Sequence, residues 1–426
     1  MKKSLLRAAV VACLPFCATG FAVVTTPAAA ADKSAEAPKV SKSISKLVQD
    51  AKKAYDAKDW QTVIAKCKEA SQAADLTDYD KYLINRLDGV AYFNSGDHAD
   101  AKVAFQALVN NPATPADDLK TLIVPAVELA AEASDNAAVI AMGKLAEQHN
   151  VASGDVLGSI AVAYYNTNDY TDAASYAQKS IDISGTEGKM PQYGTYQVLA
   201  FAYDKQKKTA DEIKAFELMA RDYGKQDDWK YLLDLSLETL PAGNKSMREI
   251  AALDIYRLRV ITPADWAALN YKEMADAAQV VRSWGDAKWA LQTGLSKGVL
   301  TQGQVSALLA DVNNNARKDE PTLPTAEKLA NNGKEAVNVA EAYYGYGSYA
   351  DAARVAQKAA GFGGATAGEA KLIVAMCQVR QGDETSAAQT LAGVSGDPAI
   401  VRAAQLWNLY LSRKYGKTQP AAPATH

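Results

Sequence analysis

The chain has 426 residues, of which 48% are hydrophobic and 22% are charged, and its formal net charge at pH 7 is −3. This composition is typical of a folded chain and excludes general disorder. The slight acidic excess argues against a nucleic-acid-binding protein, because such proteins concentrate basic residues on one face.

The beginning of the chain has the pattern of a secretory signal peptide. Lys2 and Lys3 are followed by an apolar run over residues 8–24 and by small residues that end at Ala31. We predict a signal peptide over residues 1–31, cleaved after Ala31, and therefore a periplasmic or secreted mature chain. Its removal takes away three basic residues and leaves a net charge of about −6.

Two alternatives to simple cleavage stay open. The apolar run could act as an uncleaved anchor, although at about 17 residues it is shorter than the roughly 20 that a membrane span needs. A lipid could instead be attached at Cys13 or Cys17. No other stretch of the sequence is long and apolar enough to span a bilayer, so we expect no transmembrane span after signal removal.

The mature chain divides by composition into four parts. Residues 32–42 are rich in Ala, Lys, Ser and Pro and predict a disordered leader. We expect repeats over 43–318 and again over 325–415, with a hinge between the two blocks at residues 319–324. A flexible tail is expected at 416–426.

Most of the chain carries one repeated pattern. Its best copy is Gly89-x-x-Tyr92-x-x-x-Gly96, and the steps between the clear copies are mostly 34 to 39 residues. One degenerate unit is expected in a longer gap, with helices at about 228–239 and 246–259. The small residues that anchor the recognisable units are Ala51, Gly89, Val127, Ala161, Ala200, Ala278, Ala340 and Ala375.

This pattern resembles the tetratricopeptide repeat, a helix-turn-helix unit of about 34 residues. The resemblance implies an all-α fold: a right-handed alpha-alpha solenoid of about nine helix-turn-helix repeats with a C-terminal capping helix near residues 399–415. Small anchor residues suit this fold because they let paired helices approach closely. Pro125 falls inside one expected helix and predicts a kink or a late start there.

The sequence gives little support for catalysis. It contains three histidines, and these cannot form a metal site or a nucleophile-histidine-acid set. We assign His98 a packing role and predict that Cys67 and Cys377 are buried thiols. We therefore expect no enzyme activity, no metal and no cofactor.

A candidate binding groove follows from the resemblance, which implies that the first helix of each unit lines a concave face. Aromatic and polar residues recur there just after the anchors: Tyr55, Phe93, Asn94, Tyr165, Asn166, Phe201, Lys205 and Tyr344. Aromatic residues supply binding energy and amides pair with a peptide backbone. The alternative is that these aromatic residues pack against the next unit.

We therefore expect a periplasmic scaffold or adaptor that binds an unidentified protein or peptide partner through this groove. The alternative is an extracytoplasmic protein that binds a glycan or another small molecule in the same groove. The partner, the biological process and the oligomeric state do not follow from the sequence, because function in such folds depends on the exposed side chains.

Overall fold

The structure is a computed structural model, and it describes residues 39–242 and 244–413. Within these two ranges the secondary structure is helical, with no β-strand. The predicted all-α class is therefore confirmed. The predicted signal peptide, most of the leader and the tail at 416–426 lie outside the described residues.

The helices follow one another as hairpins, each made of a first and a second helix. The first five hairpins are α1 (Ser45–Asp56) with α2 (Trp60–Ala70), α3 (Asp78–Ser95) with α4 (His98–Val109), α5 (Ala116–Glu132) with α6 (Asn136–Gln148), α7 (Gly154–Asn166) with α8 (Tyr170–Thr186), and α9 (Tyr193–Lys205) with α10 (Thr209–Asp222).

The second half continues in the same way. Its helices are α11 (Gln226–Glu238) with α12 (Lys245–Ile261), α13 (Ala268–Val280) with α14 (Trp284–Ser296), α15 (Gln302–Asp319), α16 (Leu323–Leu329), α17 (Gly333–Gly345) with α18 (Tyr349–Gly361), α19 (Ala367–Arg380) with α20 (Glu384–Ala392), and α21 (Pro398–Leu411). The degenerate unit predicted from the sequence corresponds to α11 and α12, which contact each other less extensively than the two helices of the other hairpins do.

The same short turn joins the two helices of many hairpins. An aspartate caps the second helix, and its carboxylate accepts the backbone N–H three residues later at Asp59, Asp97, Asp135, Asp169 and Asp383. This is the usual role of an N-cap aspartate. The residue before each of these aspartates has a positive φ, and at two of the five turns it is glycine. Local sequence therefore fixes the turns.

First helices of neighbouring hairpins also contact one another at several points of the array. They pack directly against each other at α1–α3, α5–α7, α7–α9 and α17–α19. Each second helix lies against its own first helix and the first helix that follows. The anchors make this approach possible: Ala161 and Ala200 are fully buried, and a Cβ atom added at Gly89 would lie 3.2 Å from the Cβ of Ala104. The described residues thus form a two-layer solenoid of helical hairpins, with first helices in one layer and second helices in the other.

The last helix closes the array in an unexpected way. It contacts α19 and α20, as predicted for a capping helix, but it also packs along α12 in the middle of the chain. The indole nitrogen of Trp407 donates a hydrogen bond of 3.0 Å to the backbone oxygen of Asp254, and Arg402 lies 2.5 Å from Glu217. The C-terminal repeats are thereby attached to the repeats before residue 264.

One local expectation needs correction. Helix α5 continues through Pro125 from Ala116 to Glu132, so the late start predicted there is wrong, while the alternative of a kink stays a prediction. The segment proposed as a hinge, residues 319–324, forms a 3-10 turn at Glu320–Thr322 that leads directly into α16. One hydrophobic cluster includes residues on both sides of that segment, and the division into two blocks stays a prediction.

Candidate functional site

Most of the aromatic residues predicted to line a groove pack across the turn of their own hairpin. The ring four residues after the anchor contacts the ring five residues further on, which begins the second helix. The four pairs have centroid separations of 5.0 to 5.7 Å: Tyr55–Trp60, Phe93–His98, Tyr165–Tyr170 and Tyr344–Tyr349. We call each of these pairs a turn staple, because it joins the end of the first helix to the start of the second.

The turn staples change the interpretation of the predicted groove. Tyr55, Phe93 and Tyr165 are half-buried in these contacts. Tyr344 is 3% exposed and lies beneath the guanidinium of Arg257, 4.4 Å from the ring centroid, so it cannot line a groove. His98 has the packing role expected of it, and its Nδ1 atom also lies 2.7 Å from Glu132.

The other predicted residues occupy different positions. Asn94 donates a hydrogen bond of 2.8 Å to the backbone oxygen of Val90 on its own helix. Phe201 is half-buried against the core, and the exposed Lys205 lies 3.7 Å from Asp204. Asn166 alone of the eight predicted residues lines the cavity described next.

A cavity of about 470 Å³ opens between the first helices of the third, fourth and fifth hairpins. We call it the inner cavity. Its walls are formed by Val127, Glu128, Ala131, Ser134, Asn136, Val139, Asp155, Val156, Gly158, Ser159, Val162, Ala163, Asn166, Gln192, Gly194 and Thr195.

The inner cavity lies where a turn staple is missing. In the third hairpin the two staple positions, four and nine residues after the anchor Val127, hold Ala131 and Asn136. Both residues line the cavity. Small and polar residues therefore leave open the space that an aromatic pair fills in the hairpins on either side. The sequence contains only part of this signal, because the units anchored by Ala200, Ala278 and Ala375 also lack an aromatic pair at these positions.

The polar groups of the inner cavity are amides, hydroxyls and two carboxylates. Gln192 donates a hydrogen bond of 2.8 Å to Asp155, and Asn166 donates one of 3.3 Å to Asn136. Burial raises the pKa of Glu128 above its ordinary value, and the negative charge of Asp155 raises it further. Among the described residues that line the cavity, none is aromatic and none is basic.

Further features bear on the expected chemistry. The described part of the chain contains no group of three or more His, Cys, Asp or Glu side chains that could hold a metal ion. Cys67 and Cys377 are buried free thiols, as predicted, and burial raises the pKa of each. No helix within residues 39–242 and 244–413 has the length and apolar character needed to cross a membrane.

The described residues form an all-α solenoid of repeated helical hairpins. A scan against protein-family models gave no match, and a search of curated proteins also gave none. Similar solved structures include a tetratricopeptide repeat protein from Parabacteroides merdae, with 11% identity, a TM-score of 0.30, and coverage of 79% of this chain and 100% of that one.

Two further similar structures are Naa15/Naa10 bound to HypK-THB and yeast Tom70. The first has 13% identity and a TM-score of 0.25, covering 85% of this chain and 65% of that one. The second has 10% identity and a TM-score of 0.23, covering 86% of this chain and 95% of that one. At such low TM-scores, the site must be interpreted from its own geometry.

Proposed function

We propose that this chain is a protein-interaction scaffold or adaptor that holds a segment of a partner protein against its first helices, at the inner cavity. We further propose that it works without catalysis, in the periplasm or outside the cell. The location is supported by the signal-like start of the sequence. N-terminal sequencing of the mature chain tests it, since cleavage at the predicted site gives a chain that starts at Asp32.

The inner cavity is the observation that supports the binding function. It combines the exposed apolar side chain of Val162 with the amides of Asn136 and Asn166. An extended peptide needs both kinds of contact, because its side chains bury apolar surface while its backbone N–H and C=O groups require hydrogen-bond partners. The volume of about 470 Å³ lies within the range found for binding pockets.

Filling the cavity tests this proposal. Ala131→Tyr places a ring at the vacant staple position beside Asn136, where it occupies the binding space. Ala141→Tyr is the matched control, because Ala141 is exposed on α6 and does not line the cavity. In a crosslinking pull-down from the envelope fraction, we expect Ala131→Tyr to lose partners that the wild type and the control both capture. Equal capture by all three chains would contradict the assignment.

The small-molecule alternative keeps one supporting observation, which is that the cavity volume also suits a small ligand. The glycan form of that alternative is weaker. Its aromatic platforms were to be Tyr55, Phe93 and Tyr165, and these rings are engaged in turn staples. A melting-temperature screen against sugars, metabolites and peptides distinguishes these candidates, because only compounds that bind the folded chain raise its melting temperature.

A further inference from the structure

The charge of the inner cavity narrows the chemistry of its occupant. Glu128 and Asp155 contribute carboxylates from neighbouring first helices, α5 and α7. Within the described residues, no lysine, arginine or histidine nitrogen lies within 4.0 Å of either carboxylate. Lys189 lies 2.9 Å from Glu187 and its charge also interacts with that of Asp155, while His98 contacts Glu132.

Glu128 is the more buried of the two carboxylates. It is half-buried on α5, directly after the anchor Val127, and its pKa is raised by burial and by neighbouring negative charge. An ionised carboxylate in such a place is stabilised when a cation approaches it, because attraction between opposite charges is stronger away from bulk water. The cavity beside Glu128 therefore favours an approaching positive charge.

The apolar walls limit the form that this cation can take. Of the apolar residues that line the cavity, Val162 is 41% exposed and offers the surface that a ligand can reach, whereas Val127, Val139, Val156 and Ala163 are at most 2% exposed. A lysine or arginine side chain matches such a lining, because its methylene stem packs on apolar surface while its charged end seeks a carboxylate. A small hydrated cation makes no use of these walls.

From this juxtaposition we infer that the inner cavity accepts a lysine or arginine side chain of the bound partner, with its cation beside Glu128 and Asp155 and its stem against Val162. The inference rests on the proposed function and adds the partner's chemical class: an extended segment with a basic residue at its centre. The amides of Asn136 and Asn166 then lie beside the partner's backbone.

The test uses the full mature chain and pools of labelled peptides with a fixed central residue and randomised flanks, measured by fluorescence anisotropy. We expect pools centred on lysine or arginine to bind at least about tenfold more tightly than those centred on leucine, glutamate or Nε-acetyl-lysine. Glu128→Gln should abolish the preference for lysine over acetyl-lysine. Asp117→Asn is the matched control, because it removes the same charge from an exposed site on α5 and should keep the preference.

The outcomes separate this inference from the proposed function. If all pools bind equally and Ala131→Tyr abolishes binding, the cavity still binds partners but the cationic class is wrong. If no pool binds and Ala131→Tyr captures partners as the wild type does, both proposals fail. Retention of the lysine preference in Glu128→Gln overturns the inference. So does tighter binding of free spermidine than of the lysine pool, because the occupant would then be a small cation.

Discussion

Replacing Arg257 with methionine should loosen the closure of the second half of the molecule. Arg257 lies on α12, is 2% exposed, and contacts one carboxylate on each of three helices. The distances are 2.8 Å to Asp254 on α12, 2.7 Å to Asp286 on α14, and 2.6 Å to Glu341 on α17. Its guanidinium also covers the ring of Tyr344.

The expected loss of stability arises from the buried carboxylates that Arg257→Met leaves without a cation. Removing one member of a buried ion pair costs about 3–5 kcal/mol, because the remaining charge loses its partner without regaining water. Here three carboxylates lose the same cation, and methionine fills only the space. Burial already raises the pKa of Asp254 and Glu341, so proton uptake can absorb part of the loss. We therefore expect Arg257→Met to lower the free energy of unfolding by about 4 kcal/mol at neutral pH.

Urea titration followed by circular dichroism measures this change in the free energy of unfolding. The loss should be larger at pH 8 than at pH 5, since protonation relieves the unpaired carboxylates at the lower pH. Adding Asp254→Asn and Glu341→Gln to Arg257→Met should recover most of it, because few charges then remain buried. A loss below about 1 kcal/mol, or no recovery in the triple variant, would show that this ionic cluster does not hold the helices together.

Two further predictions concern charge and close packing in the second half of the chain. Glu369 has a pKa raised to about 8, chiefly by burial and then by the charge of Glu341. A carboxyl whose pKa is raised on folding contributes most to stability below its unfolded pKa, and it loses this contribution as the pH rises towards 8. The urea midpoint of Glu369→Gln should therefore equal that of the wild type at pH 5 and exceed it at pH 9. A constant difference across that range contradicts the assignment. Gly285→Ala should lower the free energy of unfolding by about 2 kcal/mol or more through overpacking, because its Cβ would fall on the backbone of Gly345 in the facing helix. Gly303→Ala is the control: no atom lies within 4 Å of its added Cβ, so it should be neutral or slightly stabilising. Equal thermal midpoints for the two alanine variants would show that α14 and α17 are not in such close contact.

The repeat pattern allowed the fold class and most helices to be predicted because its information is local. Each anchor, turn and cap lies within one hairpin, so spacing alone reveals it. The attachment of α21 to α12 could not be predicted in this way. Trp407 and Asp254 are 153 residues apart, and neither position departs from what an ordinary helix would carry. A contact at that separation depends on the accumulated geometry of the whole array.

The binding residues were harder to predict for a different physical reason. The sequence analysis searched for aromatic residues that recur, and recurrence in a repeat protein selects residues that every unit needs for packing. Phe93 and Tyr165 recur for that reason, as members of turn staples. Glu128, Ala131 and Asn136 belong to one hairpin only, so a search for the common pattern passes over them.

The missing staple has an energetic meaning that links fold to function. An aromatic pair contributes about 0.5–1.5 kcal/mol beyond the surface it buries, so the third hairpin forgoes a contact that its neighbours make. The chain instead places a half-buried carboxylate and two amides around the vacant space, which are groups that gain most when a ligand covers them. If the cavity serves binding, Ala131→Tyr should abolish capture without lowering stability. If the cavity is a packing defect, the same substitution should raise stability and leave capture unchanged.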